Sequence, residues 1–433
     1  MRRSVFVARV VFSTLFVCAL VHSAAAAAST VQVKADHDTG VYDPEQTATW
    51  SILVTNDKKP CEGKVSYVVR LGGLDEIAKG TLDLAEGMAS VTGTRKDPGA
   101  LLLEVHYKGP QDAKDVQGLG GAIFAPDKIA VSTPPPDDFD QFWKDKIAAL
   151  HAIPINVQLT PVDAGVKGVD YFKITMDNIN GSKIYGQIAM PSGGTNLPAM
   201  LQVQYAGVYK LDRNEVLGRA KNGWLALNIQ AHDLPIDETP EFYKAKSEKE
   251  LNDYPGIGND NRETAYFLRM FLSCYRAVDY LTERPEWNKK TMLVQGGSQG
   301  GYQTLVTAGM HPAITAFAAS VPAGCDHTGK QAKRAPGWPN WASRTWQKKD
   351  YNKMLETSRY FDAMNFAYRI KAPGIIGVGL IDVTCPPEGV LAACNKIQGE
   401  HKVIIEPQSG HMGPHDKYYK EFGPFLEEQK NKK

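Results

Sequence analysis

The sequence has almost no net charge and few cysteines. Its formal net charge is +1 over 433 residues, and Lys and Arg are dispersed instead of forming a basic stripe. Neither nucleic acid nor an anionic membrane surface is therefore expected as a partner. The six cysteines match no zinc-binding spacing and no dense disulfide framework. Because phosphate-binding and dinucleotide fingerprints are also missing, the sequence predicts no metal and no cofactor.

Long apolar runs are missing beyond the amino terminus. There, Arg2, Arg3 and Arg9 precede the run "VVFSTLFVCALV", and the small residues of "HSAAAAAS" follow it. This order is typical of a signal peptide, whereas an uncleaved anchor would need an apolar span of ~20 residues. We expect residues 1–28 to be removed on export, which gives a secreted or periplasmic protein with no integral membrane span.

Residues 29–125 lack helical periodicity. Short alternating runs such as "TATWSILVT", "GKVSYVVRL" and "LLLEVHYKG" are separated by Gly, Pro, Asp and Asn. This pattern predicts a small, immunoglobulin-like β-sandwich. Its role is open between a structural or interaction module and a carbohydrate-binding module.

Residues 126–433 are predicted to form a second unit with a different pattern. Asp137 or Asp138 is expected to cap its first helix, and Asn180-Gly181 to join two alternating strands as a hairpin. Short, wholly apolar runs then alternate with helices: "PAMLQVQY", "WLALNIQ", "TMLVQG", "AITAFAASV", "GIIGVGLI" and "KVIIEP". Strands that are apolar on both faces predict an α/β fold, with a mostly parallel sheet covered by helices on both faces.

The segment "QGGSQGG" contains the candidate nucleophile, Ser298. The buried run "TMLV" precedes it, and a helical pattern starting at Tyr302 follows it. A serine on such a sharp strand-to-helix turn adopts strained backbone angles, and a side chain at Gly296 or Gly300 would collide with neighbouring backbone. A structural turn is the alternative, but the strand and helix around the motif favour a nucleophile.

A serine nucleophile needs a base, and the base needs an acid to orient it. Asp382 ends the run "GIIGVGLID", and His411 follows "KVIIEP" in a glycine-flanked loop. Both positions suit the order Ser, acid, His at the carboxyl ends of successive strands. Glu406 and His415 are rivals, but Glu406 is still at its strand terminus and His415 is expected to begin the last helix.

The tetrahedral intermediate also needs hydrogen-bond donors for its oxyanion. One is expected to be the backbone N–H of Gln299, which directly follows the nucleophile at the amino end of a helix. The other should come from the loop 205–207, which follows the run "PAMLQVQ".

The region from about residue 128 to the end resembles carbohydrate esterase family seven, the acetyl xylan esterases and cephalosporin C deacetylases. The matching segments are "PPPDDFDQFW", "VQYAG", "RAVDYL", "GGSQGG", "YFDAMNFAYRIKAP" and "GLIDVTCPP". The resemblance implies an α/β-hydrolase fold with Ser298, Asp382 and His411 as its triad. It also implies that the backbone amides of Tyr205 and Gln299 form the oxyanion hole.

The sequence departs from the family pattern in several places. "QAHDLP" stands where the family has Arg-Gly-Gln, and Met412 follows His411 where glutamate is usual. The signal peptide and the β-sandwich are absent from compact family members. Because family members can form rings of subunits, a homo-oligomer is an expectation that the extra domain could block or change.

Two long insertions are expected to shape the mouth of the pocket. One is "DETPEFYKAKSEKELNDYPGIGNDNRE", and the other contains Trp338, Trp341 and Trp346. These tryptophans would either stack on sugar rings or pack a lid or interface. The leading hypothesis is an exported esterase that deacetylates xylan-derived or similar sugars. A serine oligopeptidase-like hydrolase and a catalytically inactive surface or carbohydrate-binding protein are the rivals.

Overall fold

The computed structural model describes residues 29–432, except 111, 113 and 344–348. The predicted signal peptide and Trp346 lie outside the described residues. Among the described helices, none is long and apolar enough to cross a membrane. The five cysteines of the described part are free thiols, and Cys274 is fully buried.

The amino-terminal part consists of two β-sheets that pack over a common core. One sheet contains β1, β3, β4 and β7, and the other has the order β2-β9-β8-β5-β6. Trp50 and Ile52 of the first sheet meet Leu103 and Phe124 of the second, and all four side chains are buried. The predicted all-β sandwich is therefore confirmed. Its strands are β1 (Thr30–Ala35), β2 (Val41–Tyr42), β3 (Thr47–Asn56), β4 (Lys59–Pro60), β5 (Lys64–Leu71), β6 (Asp75–Asp83), β7 (Met88–Thr94), β8 (Gly99–Tyr107) and β9 (Val116–Phe124).

The remainder of the described chain is built around one nine-stranded sheet. Its strands are β10 (Gln158–Val162), β11 (Val169–Asp177), β12 (Lys183–Pro191), β13 (Leu197–Val203), β14 (Leu225–Ile229), β15 (Trp287–Gly297), β16 (Ala316–Ser320), β17 (Gly374–Gly379) and β18 (His401–Glu406). Its helices are α1 (Phe139–His151), α2 (Asn214–Lys221), α3 (Pro240–Glu248), α4 (Tyr266–Thr282), α5 (Gln299–Met310), α6 (Tyr351–Ser358), α7 (Met364–Ala367), α8 (Pro387–Cys394) and α9 (Asp416–Lys430).

The strand order is β10-β11-β12-β14-β13-β15-β16-β17-β18. The first three strands are antiparallel to their neighbours, and β13 to β18 run parallel. Side chains of α2 and α9 cover one face, and those of α4, α5, α7 and α8 cover the other. Every residue of β14, β16 and β17 is buried, as strands covered on both faces should be. The predicted α/β-hydrolase fold is confirmed.

Two local expectations have different outcomes. The turn at Asn180-Gly181 does join an antiparallel hairpin, in which β11 pairs with β12. Asp138 is the N-cap residue of α1, and its carbonyl accepts the Phe142 N–H (2.8 Å), but its side chain makes no capping hydrogen bond. Its carboxylate instead accepts from the Tyr360 hydroxyl and the Arg262 guanidinium, and these bonds lower its pKa.

Candidate active site

Ser298 lies between the end of β15 and the start of α5. Its backbone has φ 55° and ψ −121°, a region that costs energy for a residue with a side chain. The neighbouring glycines allow this turn, since a Cβ on Gly296 would lie 2.6 Å from the Gly300 carbonyl carbon, and one on Gly300 would lie 2.7 Å from the Val203 oxygen. The Ser298 N–H donates to the Ser320 carbonyl at the end of β16 (2.9 Å). The serine is thus fixed by backbone on two sides.

Asp382 and His411 lie at the same edge of the sheet as Ser298. Asp382 follows β17 by three residues, and His411 follows β18 by five. The Nε2 atom of His411 is 2.9 Å from the Ser298 Oγ, and its Nδ1 is 2.8 Å from the Asp382 Oδ2. The structure therefore brings together three residues that lie 113 and 29 positions apart in the chain.

The hydrogen bonds assign a tautomer to His411. A carboxylate can only accept, so Nδ1 carries the proton and Nε2 is left free to accept the serine proton. The other carboxylate oxygen of Asp382 accepts the backbone N–H groups of Thr384 and Cys385, each at 2.8 Å. Both oxygens of this fully buried carboxylate are hydrogen-bonded, which fixes its orientation toward the imidazole.

The two candidate oxyanion donors belong to segments that meet beside Ser298. Gln299 is the first residue of α5, so its N–H has no acceptor within the helix. Tyr205 follows the end of β13, the strand that pairs with β15. The arrangement can therefore present two backbone N–H groups near the serine.

The rivals Glu406 and His415 form a pair of their own. The Nδ1 of His415 is 3.3 Å from the Glu406 carboxylate, and its Nε2 is 3.2 Å from the carbonyl oxygen of His411. Glu406 also accepts the N–H of Lys417 (2.9 Å). These residues brace the loop of His411, and neither one contacts Ser298 through a hydrogen bond.

Comparisons with known proteins identify the family of this chain. The family model for acetyl xylan esterase matches residues 128–426, which is more than half of the chain. The chain belongs to the acetyl xylan esterase family. It is therefore a hydrolase that acts on acetyl esters.

Individual relatives of this esterase cover most of its length. The acetyl esterase Axe7A of Xylanibacter ruminicola is 30% identical over 357 residues, which span 81% of this chain and 80% of the relative. The acetyl xylan esterase of Paenibacillus sp. R4 is 25% identical with a TM-score of 0.59, and covers 70% of this chain and 98% of its own. Acetyl xylan esterase 1 of Thermoanaerobacterium sp. JW/SL YS485 shares the fold at 21% identity, with a TM-score of 0.62 and coverage of 70% and 97%.

A buried hydrogen-bonded chain supports the loop 205–207 of the esterase, and this chain was not predicted from the sequence. His232 is completely buried, with Nε2 2.9 Å from the Gly207 carbonyl oxygen and Nδ1 2.7 Å from the Tyr266 hydroxyl. Because a carbonyl can only accept, Nε2 donates and Nδ1 accepts from Tyr266. Arg269 in turn donates to the Tyr266 oxygen at 3.0 Å. The signal available in the sequence was the departure "QAHDLP", which places His232 three residues after the end of β14, a strand next to β13.

Burial determines the charge state of His232. Desolvation is the largest cause of a pKa lowered to about 4, and the positive charge of Arg269 adds to it. The imidazole is therefore neutral at physiological pH, as its two hydrogen bonds require. Tyr254, from the first insertion, packs edge-on against this ring and donates to the side chain of the buried Gln299.

Of the tryptophans in the second insertion, Trp338 and Trp341 are described, and both pack against the core. Trp341 is 1% exposed, stacks on Phe361 and donates its indole N–H to the Asn259 carbonyl (2.7 Å). Trp338 is partly buried against the same core. The packing alternative therefore holds for Trp341, because a ring with both faces covered cannot stack on a sugar.

Exposed apolar side chains neighbour the candidate site residues in the chain. Tyr205 is 61% exposed, Val383 is 62% exposed and Met412 is 95% exposed. Val383 directly follows Asp382, and Met412 directly follows His411. The esterase thus offers an apolar rim around a polar centre.

Cys385 lies close to Asp382 and His411. Ligand atoms of Asp382, Cys385 and His411 lie within 4.8 Å of one another, a distance at which such groups can share a metal ion. Burial, and then the charge of Asp382, raise the pKa of the Cys385 thiol well above its usual range. A protonated thiol is a poor ligand, and the facing atoms of Asp382 and His411 already bond each other. The set therefore fits a proton relay better than a metal site.

Proposed function

We propose that this protein is an exported serine carboxylesterase that removes acetyl groups from xylan-derived oligosaccharides or similar sugar esters, with Ser298, His411 and Asp382 as its catalytic triad. The observation that carries the proposal is the hydrogen-bonded row from Ser298 Oγ through His411 to Asp382, at 2.9 and 2.8 Å. This is the geometry of nucleophile, base and orienting acid.

In the acylation step, Ser298 Oγ attacks the acetyl carbonyl carbon while its proton passes to His411 Nε2. The carbonyl oxygen becomes an oxyanion that accepts the backbone N–H groups of Tyr205 and Gln299. Collapse of this intermediate breaks the bond to the sugar oxygen, which takes the proton from His411. An acetyl group remains on Ser298, and the sugar leaves as an alcohol.

In the deacylation step, a water molecule replaces the sugar. His411 Nε2 takes one proton of the water as its oxygen attacks the acetyl carbon. The second tetrahedral intermediate then releases acetate, and the proton returns to Ser298. In both steps Asp382 holds Nδ1 and stabilises the imidazolium, and it stays ionised throughout.

Several features support a sugar ester as the substrate. The family and its relatives act on acetyl esters, and two relatives carry xylan in their names. The exposed ring of Tyr205 stacks on Tyr209 with ring centroids 4.7 Å apart, so one face of the pair is available to a sugar ring. The leader-like residues 1–28 support export, followed by a β-sandwich over 29–125 and an esterase domain over 126–433.

The test is hydrolysis of p-nitrophenyl acetate, acetylated xylo-oligosaccharides and a panel of peptide anilides by the full chain and by Ser298→Ala. We expect the wild type to release acetate from the first two substrates and Ser298→Ala to lose at least about 10³-fold in kcat. Trapping with excess p-nitrophenyl acetate should place the acetyl group on the peptide that contains Ser298.

A matched control is Ser192→Ala. Ser192 directly follows β12, and its exposed hydroxyl donates a hydrogen bond to the Asp170 carboxylate of β11. The variant should retain wild-type activity. Unaltered acetate release by Ser298→Ala would refute the mechanism. Turnover of peptides alone would refute the substrate class.

A further inference from the structure

The β-sandwich packs directly on the loop that carries Asp382. Arg95 lies in the turn between β7 and β8. Its two terminal guanidinium nitrogens donate hydrogen bonds to the carboxylate of Glu388, the second residue of α8, at 3.1 and 3.2 Å. The N–H of Ala100 in β8 donates to the same carboxylate at 2.9 Å. The side chains of Arg95 and Glu388 are only 11% and 3% exposed. Three hydrogen bonds to a buried carboxylate therefore join the two parts of the protein at this point.

The chain between Asp382 and Glu388 is short and stiff. The Asp382 carboxylate accepts from the N–H groups of Thr384 and Cys385, and two prolines then lead into α8. A displacement of Glu388 would therefore be passed along six residues to the carboxylate that faces His411, because few freely rotating bonds lie between them.

The residues just before Asp382 also contact the sandwich. A Cβ placed on Gly121 of β9 would lie 2.5 Å from the Leu380 carbonyl oxygen, and one on Gly40 would lie 2.6 Å from the Leu380 side chain. The Ala335 N–H donates to the Gly72 carbonyl (2.8 Å), which adds a backbone bond beside the same loop. The sandwich thus contacts the acid loop on both sides of Asp382.

We propose that the β-sandwich is a positioning part of the active site, in which Arg95 acts through Glu388 to hold the loop of Asp382 in register with His411. This inference rests on the proposed triad. It assigns the sandwich a role in the chemistry itself, in addition to any role in stability or in binding carbohydrate.

The residues near Arg95 in the chain leave space for its guanidinium and bond it. Gly99 has φ 145°, and a Cβ there would lie 2.2 Å from the guanidinium carbon of Arg95. Arg95 also donates to the carbonyl of Ala100 at 2.8 Å. Its planar fork therefore bridges β8 and the carboxylate of α8, a geometry that lysine cannot reproduce.

The test uses the full chain with Arg95→Met, Arg95→Lys and Glu388→Gln. For each variant, kcat and KM for p-nitrophenyl acetate are measured and normalised to active sites counted by a fluorophosphonate titrant. The urea midpoint is measured on the same samples. A misplaced acid loop should lower kcat per active site by about 10- to 100-fold for Arg95→Met and Glu388→Gln, with KM little changed. The kcat per active site of Arg95→Lys should lie between that of these variants and that of the wild type.

The matched control is the pair Arg70 and Glu104, whose ion pair of 2.9 Å joins β5 and β8 within the sandwich. Arg70→Met and Glu104→Gln should keep wild-type kcat per active site even where they lower the urea midpoint. If Arg95→Met does not fold, Arg95→Lys carries the test, with a loss of about threefold or more expected from the lost bidentate contact.

Wild-type kcat per active site in folded Arg95→Lys and Glu388→Gln would overturn the inference, because the contact would then serve stability alone. Failure of the proposed function would look different. Ser298→Ala, assayed alongside, would then retain activity or remain reactive with the titrant, whatever happens at Arg95.

Discussion

His232 gives this protein a titratable group whose effect on stability can be derived from the structure. The perturbation is His232→Gln, which removes the imidazole but keeps an amide donor and an amide acceptor. In the folded protein the pKa of His232 is lowered to about 4, whereas the ordinary value is 6.5. Between these two pH values the unfolded chain binds a proton that the folded chain rejects. The unfolded state is therefore favoured increasingly as the pH falls from 6.5 to about 4.

The magnitude follows from linkage. Each pKa unit corresponds to about 1.4 kcal/mol, so His232 should lower the free energy of unfolding by about 3 kcal/mol across this window. At pH 7.5 the imidazole is neutral in both states, and this contribution is absent. The variant should then differ from the wild type only by its altered hydrogen bonds, at a cost of about 1 kcal/mol.

The assay is urea unfolding at several pH values between 7.5 and 4, with the variant and the wild type compared at each pH. Subtraction removes the contributions of other groups, including buried His327, whose pKa is lowered to about 3. We expect the stability deficit of His232→Gln to shrink and then reverse as the pH falls. His151→Gln, at an imidazole that is 51% exposed, controls for loss of a surface histidine. Parallel pH curves for His232→Gln and the wild type would refute the reasoning.

Three further variants test other contacts. Gly300→Ala adds a Cβ 2.7 Å from the Val203 oxygen, so it should displace α5 and lower kcat by about 100-fold; wild-type kcat would contradict the tight turn. Asp382→Asn should lower kcat by about 10⁴-fold with the circular dichroism spectrum unchanged, because an amide no longer selects the Nδ1–H tautomer of His411. Trp341→Ala empties a fully buried site and should cost about 3–5 kcal/mol in urea unfolding; a cost under about 1 kcal/mol would contradict the close packing of this side chain.

The parts of the site that could be predicted are those that depend on strand order. Ser298, Asp382 and His411 each follow a buried, apolar strand, and parallel neighbours place their carboxyl ends at one edge. No pairwise contact had to be known for that prediction. The side-chain capping role of Asp138 failed for the opposite reason. Its carboxylate accepts hydrogen bonds from Arg262 and Tyr360 instead of from the nearby helix end. These partners lie 124 and 222 residues away in the chain, so local sequence could not reveal them.

The contact between Arg95 and Glu388 could not have been predicted from the sequence at all. The two residues are 293 positions apart, and each is of a type that is usually solvent-exposed. Nothing local distinguishes "GTRKDPG" from an ordinary polar turn. Whether Arg95 reaches Glu388 depends on how the sandwich is placed on the sheet. That placement is decided by the shape and close packing of both surfaces.

The three loops of the site are held by three different means. Ser298 is fixed by backbone contacts with its neighbouring strands, and the loop of His411 is braced by Glu406 and His415 from its own strand and helix. The sandwich contacts the loops of both Asp382 and His411, since a Cβ on Gly40 would lie 2.6 Å from the Leu380 side chain and 3.1 Å from Pro407. The buried ion pair of Arg95, however, reaches the loop of Asp382 through Glu388 of α8. Without Arg95, the cation nearest to Glu388 would be Arg334, at 3.8 Å, and Arg334 is already paired with Asp326. Breaking a buried pair leaves an uncompensated charge, which would favour movement of α8 toward solvent. The proposed role of the sandwich therefore centres on the loop of Asp382, which Arg95 would hold through Glu388.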